Sequence, residues 1–138
     1  DMFSEPFLTG LAEALFLSGM AMAVAGSSRP CSGACHEISH AIDELYPGKD
    51  LHGSQVGVGA LFVTWLRGDP RFEQFDATFK RYGLARLPED LGLTTEEFAE
   101  AVAYAPSTRP GRYTLLEYLD MDRDEIDERV AAYIAELG

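Results

Sequence analysis

Basic side chains are scarce: Lys and Arg number 11 against 23 Asp and Glu, a net charge of −12 with histidine neutral. A field of that sign repels a phosphate backbone, which excludes nucleic acid as the expected partner. Cysteine is scarcer still. Cys31 and Cys35 are the whole complement, one helical turn apart, a spacing that suits a metal or free thiols better than a disulfide framework and fits a reducing cytoplasm. No stretch alternates apolar and polar residues with period two, so nothing calls for strands. A Gly-rich strand-turn-helix stretch of the kind that cradles a dinucleotide is also missing, since "GVGALF" at 57–62 lies inside a helical pattern and follows no strand. A complete dinucleotide-binding fold is therefore not expected in this chain.

What is present is enough apolar residue for a core. The 138 residues are 46% hydrophobic and 25% charged, the balance of a soluble globular chain, and the length predicts one domain over 1–138. Helical periodicity broken by sharp stops predicts helices over 34–45, 53–68, 70–83, 94–105 and 122–138, with "YPGKD" at 46–50 ending the first of these. Thr94 or Thr95 ahead of Glu97, and Asp122 ahead of Glu125, have the spacing of helix N-caps. The expected architecture is an all-α multi-helix bundle. Residues 7–26, "FLTGLAEALFLSGMAMAVAG", are apolar for almost the length of a membrane span, but they carry Glu13 and follow no basic region. They read as a buried core helix rather than a membrane span or signal peptide. Phe62, Trp65, Leu66, Phe72, Phe75 and Phe79 recur at helical spacing and read as core. A start at Asp1 rather than Met suggests a fragment or a processed product.

All three histidines, His36, His40 and His52, fall within residues 32–53. On a helix, His36 and His40 are i and i+4 and share a face, and the turn containing Pro47 and Gly48 can fold His52 back beside them. Imidazole is the commonest protein ligand for zinc and other late divalent ions, although an i,i+4 pair alone also reads as a solvated helix face. A Cys2His2 site from Cys31, Cys35, His36 and His40 is strained, because adjacent Cys35 and His36 diverge by about 100° on a helix. "DMDRDEID" at 120–127 opens like a calcium loop, but Glu125 and Ala131 stand where the turn glycine and the bidentate Glu belong. It reads instead as a helix start, with acidic residues at the positive end of the macrodipole.

"SGMAMAVAGSSRPCSGACHEISHAID" followed by "LHGSQVGVG" resembles the C-terminal helical domain of the dehydroquinate-synthase-like superfamily, which includes iron-containing alcohol dehydrogenases. "SSRPxSG" and "RPGRYTLLE" at 109–117 are most similar to the glycerol-1-phosphate dehydrogenases within it. The resemblance implies that His36 and His52 are metal ligands, that the ion is zinc, or iron or nickel, and that His40 lies beside the substrate as a proton shuttle or contact. It also implies NAD(P)H-dependent chemistry on a small phosphorylated polyol, with the metal as Lewis acid. The family's third ligand, an aspartate, and its dinucleotide-binding domain both lie upstream of this segment. Cys35 stands where the family usually has an acidic residue, and Ser54 where it has a Glu after His-Gly.

The resulting expectation is the metal-binding half of an oxidoreductase, inactive alone, which joins an N-terminal dinucleotide-binding domain in cis or in trans, in the cytoplasm and as a potential homo-oligomer. The alternatives are a non-catalytic helical module that binds a partner or a metal, and a sugar-phosphate cyclase of the dehydroquinate-synthase type. Among the arginines, Arg29, which precedes the histidine helix in "SSRP", is the favoured substrate-phosphate contact, ahead of Arg109 and Arg112.

Overall fold

The structure is a computed structural model that describes residues 1–138. Seven α-helices form and no strand does: α1 Glu5–Ala25, α2 Ala34–Leu45, α3 His52–Leu66, α4 Phe72–Tyr82, α5 Thr95–Thr108, α6 Leu115–Leu119 and α7 Arg123–Leu137. The chain divides into two compact units, Asp1–Gly33 and Ala34–Gly138. The all-α expectation holds. The sequence pattern missed α6 and the 3₁₀ turns at Arg29–Cys31 and Pro88–Leu91, all too short to show a helical period.

The first unit is α1 with a 3₁₀ turn at Arg29–Cys31. Pro6 opens the helix, and Gly26, at φ 62°, closes it with a left-handed cap. The expectation that this helix is buried is overturned: α1 contains no buried residue, and Leu15, Phe16 and Leu17 are each more than 60% exposed. Apolar residues surround the helix on all sides. By length and composition alone, α1 is also long and apolar enough to cross a membrane.

The second unit has one continuous core. Ile38, Ala41 and Ile42 of α2 face Val58, Leu61 and Phe62 of α3, with Phe98 and Val102 of α5 and Val130 and Tyr133 of α7 closing the other sides. Phe62 is the hub: its ring meets Phe98 and Tyr133 edge-on at centroid distances of 5.5 and 5.3 Å. Tyr133 buries its ring and donates its hydroxyl to the Arg86 carbonyl at 2.8 Å. Trp65, Leu66, Phe72 and Phe79 pack partly buried against this cluster, as expected. Phe75 does not; it is 45% exposed, on the outer face of α4.

Two caps read from the sequence form as expected: Thr94 accepts from Glu97 N–H at 3.1 Å and Asp122 accepts from Glu125 N–H at 2.9 Å, each within a reciprocal capping box. The second of these confirms that the acidic run at 120–127 begins a helix. One glycine fixes how closely α2 and α3 approach. A Cβ at Gly59 would sit 3.0 Å from the Cys35 carbonyl oxygen and 3.2 Å from its Cα, both backbone atoms that cannot swing aside. A Cβ at Gly57 would meet only the Phe79 ring, at 3.2 Å. Gly59→Ala is therefore expected to destabilise the unit by about 1–3 kcal/mol through overpacking, and Gly57→Ala by less. Urea unfolding followed by the fluorescence of the single tryptophan, Trp65, compares the two; equal midpoints would contradict the close approach.

Candidate functional site

The apolar stripe of α2, Ile38 and Ile42, lies two residues out of phase with His36 and His40, about 200° around the helix. Burying the first pair therefore turns the second pair outward from the core. His52, the first residue of α3, meets them there. Its ring centroid lies 5.7 Å from that of His36 and 5.8 Å from that of His40. His36 and His40 are half-buried and His52 is exposed, so the three rings line an open surface. The structure thus gathers all three predicted histidines. Arg29 stands in the Arg29–Cys31 turn of the first unit, outside the compact unit that holds them.

A buried polar chain orients His52. Gln55 donates its amide to the Asp43 carboxylate at 2.9 Å and to the Asp50 carbonyl at 3.3 Å, both pure acceptors, so its Oε1 must face Ser39. The Ser39 hydroxyl, fully buried, gives its one proton to Gln55 Oε1 at 2.7 Å. It can then only accept from His52 Nδ1, 2.9 Å away. The network leaves the proton on Nδ1 and a lone pair on Nε2, the tautomer in which imidazole binds a metal. Sequence reading missed both Ser39 and Gln55. Gln55, three residues after His52 on the same helix face, carried the available signal.

His36 and His40 are held neutral. Burial is the leading cause that pushes each below the usual histidine value of 6.5. For His36 the fields of His52, His40, Arg109 and Arg112 add to it. For His40, Arg109 and His52 act in the same direction while Asp43 and Glu44 oppose. The His36 Nδ1 lies 3.4 Å from Cys35 Sγ, so the residue that departs from the family pattern touches a candidate ligand directly. His40 is engaged differently: the Arg109 guanidinium, which can only donate, bonds its Nε2. That leaves His40 Nδ1 protonated and its lone pair covered.

Below this surface, Glu37 is buried and accepts from Thr114 Oγ1 at 2.9 Å through Oε2, while Oε1 has no partner. Desolvation raises its pKa, opposed by the Thr114 hydroxyl, with the neighbouring Glu117 adding to the rise. Thr114 caps α6 and also contacts Glu117 Oε2 at 2.7 Å, so one hydroxyl lies between two carboxylates.

No group of three His, Cys, Asp and Glu side chains converges closely enough to hold an ion. Two imidazoles stand near the separation that a shared ion would set. On a tetrahedral zinc with Zn–N bonds of about 2.0–2.1 Å, two ring centres lie about 5 Å apart, close to the 5.7 Å between His36 and His52.

No family model matches the chain. Curated proteins do. It is 46% identical over 104 residues, 75% of its length, to the glycerol-1-phosphate dehydrogenase [NAD(P)+] of Staphylothermus marinus. It is 44% identical over 104 residues to that of Methanosarcina acetivorans, and 36% identical over 129 residues, 94% of its length, to that of Methanocorpusculum labreanum. The chain is homologous to part of the glycerol-1-phosphate dehydrogenases. It spans only 29–35% of the length of these three relatives.

Two expected outcomes follow from the site. Ser39→Ala strands the buried Gln55 Oε1 and should cost about 1–3 kcal/mol, measured by urea unfolding, and nitrogen NMR of His52 should show the fixed tautomer dissolve into a mixture. For pH, the unfolded chain takes up protons near 6.5 that the folded His36 and His40 resist. Their contribution to stability is complete above 6.5 and is lost as pH falls through their lower folded values. Glu37, raised above its usual 4.5, has the opposite sign and loses its contribution as pH rises through its folded value. The drop in unfolding midpoint from pH 7.5 to 5.5 should therefore shrink in His40→Gln, and an unchanged drop would contradict the assignment.

Proposed function

We propose that this chain is the helical metal-binding part of an NAD(P)-dependent oxidoreductase that interconverts a small polyol phosphate, of the glycerol 1-phosphate class, with its ketone, dihydroxyacetone phosphate. The homology to part of the glycerol-1-phosphate dehydrogenases supports the reaction class. The observation that carries the site is the hydrogen-bonded chain from Asp43 through Gln55 and Ser39, which orients the His52 ring, whose centre lies 5.7 Å from that of His36.

In this reading His36 and His52 are two protein ligands of a zinc ion, with iron or nickel as alternatives, and a third ligand comes from outside these residues. A bound ion would supply Lewis acidity at the substrate's alcohol or carbonyl oxygen. Ligation requires a neutral imidazole, and burial, the leading cause, lowers the pKa of His36. His40 would take up the proton that the substrate hydroxyl loses on oxidation and return it in the reverse direction; a bound nicotinamide would supply the hydride chemistry. The open face on which the histidines lie suits closure by a second domain. The nicotinamide belongs to that dinucleotide-binding domain, joined in cis or in trans, and the uncovered apolar side chains of α1 support such a partner. Arg29 is a candidate contact for the substrate phosphate, and a cytoplasmic location suits two free cysteines.

His52→Ala tests the reading. The exposed ring contributes little to the core, so in the complete protein the variant should stay folded, by circular dichroism, and lose metal-dependent reduction of dihydroxyacetone phosphate. The 138-residue chain alone should neither bind NADPH by calorimetry nor turn over, and should gain activity only when the second domain is supplied. Undiminished turnover in His52→Ala, or in metal-free complete protein, would refute the site; no activity after mixing would favour a non-catalytic module.

A further inference from the structure

We propose that Arg109 recognises the substrate's phosphate at the histidine cluster, and that it leaves His40 to do so. The inference rests on the polyol-phosphate reading above and adds the residue that discriminates for phosphate. Three features of the structure carry it.

The first is the mounting. Arg109, Pro110, Gly111 and Arg112 form a tight turn closed by Arg112 N–H on the Arg109 carbonyl at 3.1 Å, with Gly111 at φ 84°. Proline at the second position and a positive-φ glycine at the third define a type II turn, which brings its first and last residues, both arginines, close together. The turn is held at both ends. Upstream it continues from α5, which packs against the histidine helix α2 through the core. Downstream, Thr114 bonds the buried Glu37 of α2 at 2.9 Å. Both ends are thereby tied to the helix that carries His36 and His40.

The second is the charge balance. None of the ion pairs in the structure involves Arg109. Its partner is the Nε2 of His40, an imidazole nitrogen rather than a carboxylate. The carboxylates that face His40 are already engaged, Asp43 by the Gln55 amide at 2.9 Å and Glu44 by the Tyr104 hydroxyl at 3.0 Å. Both arginines also act on His36 and on Glu37, so the two positive fields overlap at one end of the cluster in a chain that is otherwise strongly acidic. A phosphate dianion offers the guanidinium paired charged acceptors, a much stronger match than one neutral nitrogen.

The third is the consequence for His40. While Arg109 bonds its Nε2, that lone pair cannot accept a proton. Transfer of Arg109 to a phosphate oxygen uncovers it only when a phosphorylated substrate is bound, so recognition at one end of the substrate prepares proton transfer at the other.

The experiment uses the complete protein as wild type, Arg109→Gln and Arg109→Lys. Inorganic phosphate is titrated by calorimetry, and kcat/KM is measured for dihydroxyacetone phosphate and for unphosphorylated dihydroxyacetone. Loss of a charge-assisted contact predicts a phosphate Kd raised about 10- to 100-fold in Arg109→Gln, with a smaller rise in Arg109→Lys, which keeps charge and bulk. The kcat/KM preference for the phosphorylated ketone should fall by a similar factor. Phosphate affinity equal to wild type in both variants, or equal losses on both ketones, would overturn the proposal and leave Arg109 as a support for His40. If the wild type reduces neither ketone, the dehydrogenase reading fails, and the phosphate titration still decides the role of Arg109.

Discussion

The close approach of α2 to α3 at Gly59 is the constraint on which the histidine site depends. Without a Cβ at that position, the backbone of α3 lies against the backbone of Cys35, one residue before His36. That contact brings the start of α3, and with it His52, beside the outward face of α2. The same proximity places Gln55 within reach of Ser39 and Asp43. Helix separation sets side-chain reach, and at a wider spacing neither the hydrogen-bonded chain nor the ring separations would hold.

Polar groups in this region are ordered by donor and acceptor arithmetic more than by charge pairing. Asp43 can only accept, which orients Gln55, which commits the Ser39 proton, which commits His52. Three links carry a single choice of tautomer from a carboxylate to an imidazole. The arginine side of the cluster is organised in parallel, with Arg109 committing His40 and Thr114 joining Glu37 to the start of α6. His52 and His40 are thereby each oriented through one ring nitrogen.

The two compact units differ in how far they satisfy themselves. Ala34–Gly138 closes a core around Phe62 with no help. In α1 the apolar side chains Phe7, Leu11, Leu15 and Phe16 are 43–69% exposed.

The sequence by itself determined all the longer helices, two of their N-caps and the candidate ligands, because these depend on local periodicity, on cap spacing and on histidines confined to one short window. It carried the His36–His40 pair through i,i+4 geometry, and it marked Arg109 and Arg112 as candidate substrate-phosphate contacts. Only the tertiary structure decided that Arg109 meets His40, that Ser39 and Gln55 set the His52 tautomer, that Glu37 is buried against Thr114, and that α1 and Phe75 are exposed. The physical reason is range. Helix propensity and capping act within about four residues, whereas Arg109 and His40 are 69 residues apart and Glu37 and Thr114 are 77 apart. Contacts over such separations exist only once α2, α3 and α5 have packed around a common core, and no local pattern encodes them.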